Sequence, residues 1–134
     1  MDYFHLNIER DHLLSLGSLA LAHLGDSVYE VMVRSWILLH GAAKPKDLHR
    51  ATVGYVAAPA QAAVMEQLLP QLTPEEADVY RRGRNTAPHS VPKAATRAQY
   101  QAATGMEALF GWLYLQGRTD RLNELFQAAM ACME

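Results

Sequence analysis

The stretch Leu19-Ala-Leu-Ala-His-Leu-Gly-Asp26-Ser-Val-Tyr-Glu30-Val-Met-Val-Arg34-Ser-Trp36-Ile-Leu-Leu39 decides the fold. It is a nearly unbroken apolar run with one carboxylate, Asp26, set deep inside it and a second, Glu30, one helical turn later. At about 100° per residue, Leu21, Leu24, Val28, Val31, Met32, Ser35, Leu38 and Leu39 form a broad face expected to meet the core. Ser15, Ala22, His23, Asp26, Tyr29, Glu30 and Val33 fall on the other side. A helix this apolar all round reads as the central, buried one of a domain. An ionised Asp26 on it then needs a partner, a metal or an aqueous cleft to offset its desolvation. We read it as lying in a cleft; pairing with a neighbouring arginine is the alternative.

Working outward, the rest of the chain reads as helices joined by short turns. The first residues form a lead-in, and Gly41 suits a left-handed cap for the apolar helix. Lys44-Pro-Lys-Asp47 opens a second helix through about Ala57, and Pro59 starts a third to about Leu69, with Ala62, Ala63, Met65, Leu68 and Leu69 facing neighbours. Thr73-Pro-Glu-Glu76 is a capping box, opening a helix that reaches Arg81 to Arg84. Asn85 to Ala95 lacks apolar periodicity and reads as an exposed basic loop. Thr96 caps a long helix to about Gln116, and Thr119 a last one to about Met133. No alternating pattern, repeat or low-complexity segment interrupts this, so the expected class is all-α.

The chain has 134 residues, half of them hydrophobic, which suits one compact domain over residues 1–134 and is too short for two. A single cysteine, Cys132, excludes an intrachain disulfide and a cysteine-based zinc site, and reads as a small buried hydrophobe. Met1 to Arg10 does not read as a signal peptide, and the apolar runs are too interrupted to span a bilayer, so a cytoplasmic protein without membrane attachment is expected. Net charge is −2, yet Arg81, Arg82, Arg84, Lys93 and Arg97 lie together with no acidic residue among them. Lys44, Lys46 and Arg50 form a smaller cluster. Such patches can neutralise phosphates on a protein that is acidic overall; a solvated helix terminus is the other reading.

On the long helix, Thr96, Tyr100, Ala103, Thr104, Glu107, Gly111 and Tyr114 share a face, and Glu107 is the only acidic residue between Asp78 and Asp120. Ala103 and Gly111, one turn either side, let another helix approach closely. If the two long helices pack there, Asp26 and Glu107 converge. Paired carboxylates repel unless protonated or bridged by a cation, and oxygen ligands favour Mg²⁺ or Mn²⁺. Such a cation activates water and stabilises a phosphoryl transition state. The six histidines form no pair with metal-ligand spacing, and His23 reads as a hydrogen-bonded core residue. Neither a phosphate loop nor a nucleophile elbow occurs.

Leu19 to Glu30, with its Leu-Gly-Asp, resembles the first signature of the ribonuclease III catalytic domain. Thr104-Gly-Met-Glu-Ala-Leu-Phe-Gly-Trp-Leu-Tyr-Leu115 resembles the second. Their spacing, Arg81-Arg-Gly-Arg-Asn85 and Val91-Pro-Lys93 are similar to the short bacterial branch, Mini-ribonuclease III, which lacks the separate double-stranded RNA-binding domain. The resemblance implies a homodimeric, all-helical endonuclease that cuts double-stranded RNA with Mg²⁺, Mn²⁺ able to substitute. Members of this branch trim the precursor of large-subunit (23S) ribosomal RNA. Asp26 and Glu107 correspond to the metal-binding, catalytic acids, with Glu30 a further candidate ligand. Two other family acids are replaced, by Ala22 and Thr104. Without the extra domain, RNA grip falls to Arg81, Arg82, Arg84, Asn85, Lys93 and Arg97, with Lys44 and Lys46. A catalytically silent, structured-RNA-binding or ribosome-assembly factor of the same fold is the alternative.

Overall fold

The computed structural model describes residues 1–41, 43–87 and 93–133. Seven α-helices occur among them: α1 (Arg10–Ser15), α2 (Ser18–His40), α3 (Leu48–Val56), α4 (Ala58–Leu68), α5 (Pro74–Thr86), α6 (Arg97–Leu115) and α7 (Thr119–Cys132). Short 3-10 turns at Pro45–Asp47 and Leu69–Gln71 lead into α3 and out of α4. No strand occurs among the described residues. Among the described residues no helix is long and apolar enough to cross a membrane.

Local chemistry sets several of the boundaries. Gly41 closes α2 with φ at 58°, a conformation that lets its N–H reach the Ile37 and Leu38 carbonyls. Thr73 Oγ1 accepts from the Glu76 N–H at 3.2 Å while the Thr73 N–H donates to Glu76 Oε1 at 2.9 Å, completing the capping box of α5. Thr96 and Gln99 form the same reciprocal pair at the start of α6. Thr119 does not cap α7. Arg118 holds the cap position, and the Thr119 hydroxyl turns back onto the Gly117 carbonyl.

The centre of the molecule is α6, not α2. Every residue from Ala103 to Leu113 is buried except Glu107, because α6 packs against α2, α4, α5 and α7 at once. The two-sided pattern expected for α6 therefore disappears into a core on all sides. Helix α2 keeps one face open. Its buried residues are Leu21, Ala22, Gly25, Val28, Tyr29, Val33 and Ile37, while Leu19, Val31, Leu38 and Leu39 are exposed.

The core-facing side of α2 is thus turned by roughly a quarter turn from the one its large aliphatic residues suggest. The cause is the helix crossing. A Cβ on Gly25 would fall on the Glu107 carbonyl oxygen, and one on Gly111 on the Leu21 carbonyl oxygen. Backbones that close leave room only for small side chains, so the narrow Ala22–Gly25 face docks. The bulky stripe of Leu24, Val31 and Leu38 stays outside or at the margin. Tyr29 then fills the space beyond the crossing, edge-on to Phe110 at 5.3 Å and to Phe126 at 6.0 Å.

A second close crossing joins α5 to α6: a Cβ on Gly83 would lie 2.8 Å from the Ala108 Cβ, and Gly105 lies against the Tyr80 ring. Glu76, fully buried, holds α5 to α7 by receiving two hydrogen bonds from Arg121, at 2.8 and 2.9 Å. In α4 the core-facing residues are Gln61, Val64, Met65 and Leu68; Ala63 and Leu69 are exposed, against expectation, since α4 turns Gln61 inward. Cys132 is exposed rather than buried, because the final turn of α7 runs past the core.

Candidate active site

The α2–α6 crossing brings the two carboxylates together. Asp26 follows Gly25, the residue in backbone contact with Glu107, and its carboxyl is close enough for its charge to act on the Glu107 carboxyl. Asp26 is exposed and Glu107 half-buried, so the pair sits at the rim of the core rather than inside it. Asp26 lies midway along α2, as its place in the apolar run suggests, but on an exposed side of the helix, where its carboxylate meets water.

Burial and the adjacent charge of Asp26 push the Glu107 carboxyl up from its ordinary 4.5 to about 8, against the smaller opposing effect of a hydrogen bond from Gln61. The metal-free site thus retains a proton near neutral pH, and a divalent cation placed between the two oxygens relieves the same repulsion. The donor set fits a hard cation: two carboxylates, with water or phosphate oxygens completing the shell, is a usual Mg²⁺ arrangement. Among the described residues no group of three or more His, Cys, Asp or Glu side chains converges. Ala22 is buried one turn before Asp26, and the Thr104 hydroxyl donates to the Tyr100 carbonyl at 3.0 Å, away from any ligand role.

Glu30 forms an ion pair with Arg34 at 3.0 Å on the surface of α2. His23 is exposed, not the core histidine expected, because its side of α2 faces away from α6. The residue that sequence reading passed over is Gln61. Its amide donates to the Val56 carbonyl at 2.8 Å and to Glu107 Oε2 at 3.4 Å. A polar side chain among the small and apolar residues of α4 was the only available signal, and such a residue reads equally well as surface.

The basic residues fall in two places. Arg81 and Arg82 both pair with Asp78, the latter at 3.0 Å, and the Arg84 guanidinium lies over the Tyr80 ring at 5.8 Å. Arg84 also donates to Asn85 Oδ1 at 3.4 Å. These residues end α5, whose Gly83 abuts Thr104, Gly105 and Ala108, within one turn of Glu107 along α6. Arg97 is exposed at the start of α6 and Lys93 is exposed four residues before it, while residues 88–92 of the expected basic loop, including Val91 and Pro92, lie outside the described residues. Lys44, Lys46 and Arg50 line an open surface pocket with Asp47.

Comparison with known proteins matches this arrangement to one family. The Ribonuclease III domain matches residues 19–118. A protein named Mini-ribonuclease 3 from Symbiobacterium thermophilum is 50% identical over 121 residues, covering 90% of this chain and 93% of that protein. Proteins of the same name from Enterococcus faecalis and Brevibacillus brevis are 44% and 45% identical, covering 82% and 87% of this chain and 85% and 87% of theirs. A crystal structure of a Fusobacterium nucleatum protein, 23% identical, superposes with a TM-score of 0.81 over 90% of this chain and 96% of that one, showing the same fold. With the signature around Asp26 and the signature around Glu107 joined at one helix crossing, the chain belongs to the ribonuclease III family, in its Mini-ribonuclease 3 branch.

Proposed function

We propose that this chain is an endoribonuclease that hydrolyses phosphodiester bonds of double-stranded RNA with Mg²⁺ or Mn²⁺, and that precursor 23S ribosomal RNA is its substrate. The observation that carries the reading is the meeting of Asp26 with Glu107 at the α2–α6 crossing. A cation bound there supplies an activated water and neutralises charge developing on the phosphate. The chain's own residues hold it. Asp26 comes from the exposed side of α2 and Glu107 from the core helix, so one ligand is open to RNA while the other is fixed by packing.

Duplex RNA is recognised through its shape, 2′-hydroxyls and phosphates. The α5 terminus, with Arg81, Arg82, Arg84 and Asn85, supplies positive charge within about a turn of Glu107 along α6, and Lys93 and Arg97 add charge further off, at the N-terminal end of α6. Lys44 and Lys46 extend it on a separate patch. The protein works as a single catalytic domain in the cytoplasm and as a homodimer, each subunit serving one strand. Exposed Val31 and Leu38 on α2, with Leu39, give apolar surface for a second copy to cover.

Cleavage of a long generic duplex with and without Mg²⁺, comparing the wild type with Asp26→Asn at equal duplex binding, tests the reading. Cutting by the wild type alone supports it. Binding without cutting by both overturns it in favour of the silent RNA-binding factor, for which the Ala22 and Thr104 replacements would be the reason.

A further inference from the structure

Gln61 is 1% exposed, yet nothing about packing calls for an amide at that place. Its neighbours on the core face of α4 are Val64, Met65 and Leu68, and a leucine or methionine would fill the same space without polar atoms to satisfy. The amide's orientation is fixed from outside. The Val56 carbonyl can only accept, so the NH₂ group must face it, at 2.8 Å. Val56 ends α3, and Ala57 is at once the last cap of α3 and the first of α4, so this anchor ties the side chain to a rigid corner. The second N–H then has one partner, Glu107 Oε2 at 3.4 Å, a long contact of the kind that tightens when a site is filled.

That orientation has a cost that the local structure does not offset. Gln61 Oε1 is buried with no hydrogen-bond partner, one of two such side-chain atoms among the described residues. A buried carbonyl left unpaired destabilises the fold, and such an atom in a native structure calls for an explanation beyond packing. The other atom is the hydroxyl of Tyr29, whose ring packs against those of Phe110 and Phe126. Of these two residues, Gln61 is the one with a hydrogen bond to a carboxylate of the candidate site.

The geometry points to Gln61 as a positioning residue of the active site: anchored on the Val56 carbonyl, its amide holds one oxygen of Glu107 and so presents the other toward Asp26 and a bound divalent cation. The inference rests on the two-carboxylate cation site proposed above. With only two protein carboxylates in place of a fuller acidic set, the orientation of each carries more of the affinity, and partners that orient ligands change metal affinity by roughly 10- to 100-fold when removed.

The test is Mn²⁺ binding to the metal-free full-length chain by titration calorimetry, for the wild type, Gln61→Met, Val64→Ala and Asp26→Asn. Gln61→Met keeps the volume and removes the amide. It is expected to weaken Mn²⁺ binding by roughly tenfold or more. Val64→Ala, equally buried on the same helix, lowers the melting temperature but leaves Mn²⁺ affinity at the wild-type value. In the wild type, the side-chain amide protons of Gln61 shift in NMR spectra as Mg²⁺ is added and reach a plateau as the site fills. Wild-type affinity in Gln61→Met overturns the inference, as does an equal loss in Val64→Ala, which would make the effect one of stability. Should Gln61→Met not fold, an amide signal indifferent to Mg²⁺ overturns it by itself. Mn²⁺ binding that survives Asp26→Asn, or is missing from the wild type, overturns the two-carboxylate site, and this inference with it.

Discussion

Gly25 and Glu107 touch through their backbones: a methyl group added at Gly25 would lie 1.6 Å from the Glu107 carbonyl oxygen. The contact places Asp26, the next residue, against the Glu107 side chain, so the distance between the two acids is set by the distance between two helix axes. Gly25→Ala forces α2 away from α6 and should destabilise the protein by about 3 kcal/mol or more, since the obstruction is backbone and cannot rotate aside. Gly54→Ala is the matched control. It lies exposed in α3 with nothing within 4 Å of the added carbon, and should be neutral or stabilise by about 0.5–1 kcal/mol. Urea denaturation of both variants measures the contrast; equal effects would refute the crossing as the determinant.

Glu107 gives the metal-free protein a pH dependence of definite sign. Its carboxyl is raised in the folded state from 4.5 to about 8, by burial first and then by Asp26. Between those values the unfolded chain releases a proton that the native chain retains, so stability should fall as pH rises through this window. Glu107→Gln should remove this contribution, and saturating Mg²⁺ should oppose the fall by favouring the ionised form. Melting temperatures in chelator from pH 5 to 8 check it. A profile identical in the wild type and Glu107→Gln would contradict the pairing.

Glu76 behaves in the opposite sense. Burial alone would raise its carboxyl, but the Arg121 hydrogen bonds, the Thr73 backbone and the charges of Arg121 and Arg118 outweigh it and hold it below 4.5. Its contribution is present above the unfolded value and lost as pH falls through the folded one. Arg121→Met leaves a buried carboxylate with most of its donors gone and should cost about 3–5 kcal/mol at neutral pH. A guanidinium-chloride titration at pH 7 measures the loss, which should shrink at pH 4 as Glu76 becomes protonated.

These two acids show what could be read before the fold was known. The capping box exposed Glu76 by its spacing from Thr73, but nothing local announces a partner 45 residues away at Arg121. Asp26 and Glu107 were legible because carboxylates stand out on apolar helices and because Gly111 invites a close crossing. The face of α2 that docks was not legible: bulk suggested Val31 and Leu38, whereas packing at close range selected Ala22 and Gly25. Gln61 was silent for a related reason, since its role depends on which helix turns toward Glu107.

Glu30 lies one turn beyond Asp26 but its carboxylate is engaged by Arg34 at 3.0 Å. An exposed pair of this spacing contributes a few tenths of a kcal/mol. Glu30→Gln should therefore leave both stability and the Mn²⁺ dependence of RNA cleavage at wild-type values. A several-fold rise in the Mn²⁺ concentration needed for half-maximal cleavage would put Glu30 in the cation site.

The arginines that end α5 differ in how they are held in the free protein, and this predicts unequal effects on RNA binding. Arg81 and Arg82 share Asp78, so part of their charge is already answered. Among the described residues Arg84 meets no carboxylate; it lies over Tyr80 and beside Asn85, and follows Gly83, which abuts the α6 segment that carries Glu107. Arg84→Gln should weaken binding to duplexes of every sequence alike and lower the slope of log affinity against log salt by about 1 for the lost phosphate contact. Arg81→Gln should cost less, because Arg82 remains on Asp78 and the local charge changes little in shape. Affinities in Ca²⁺ across a salt series, with cleavage suppressed, separate the two. If both variants bind as the wild type does at all salt concentrations, the α5 terminus is not where the RNA backbone is held.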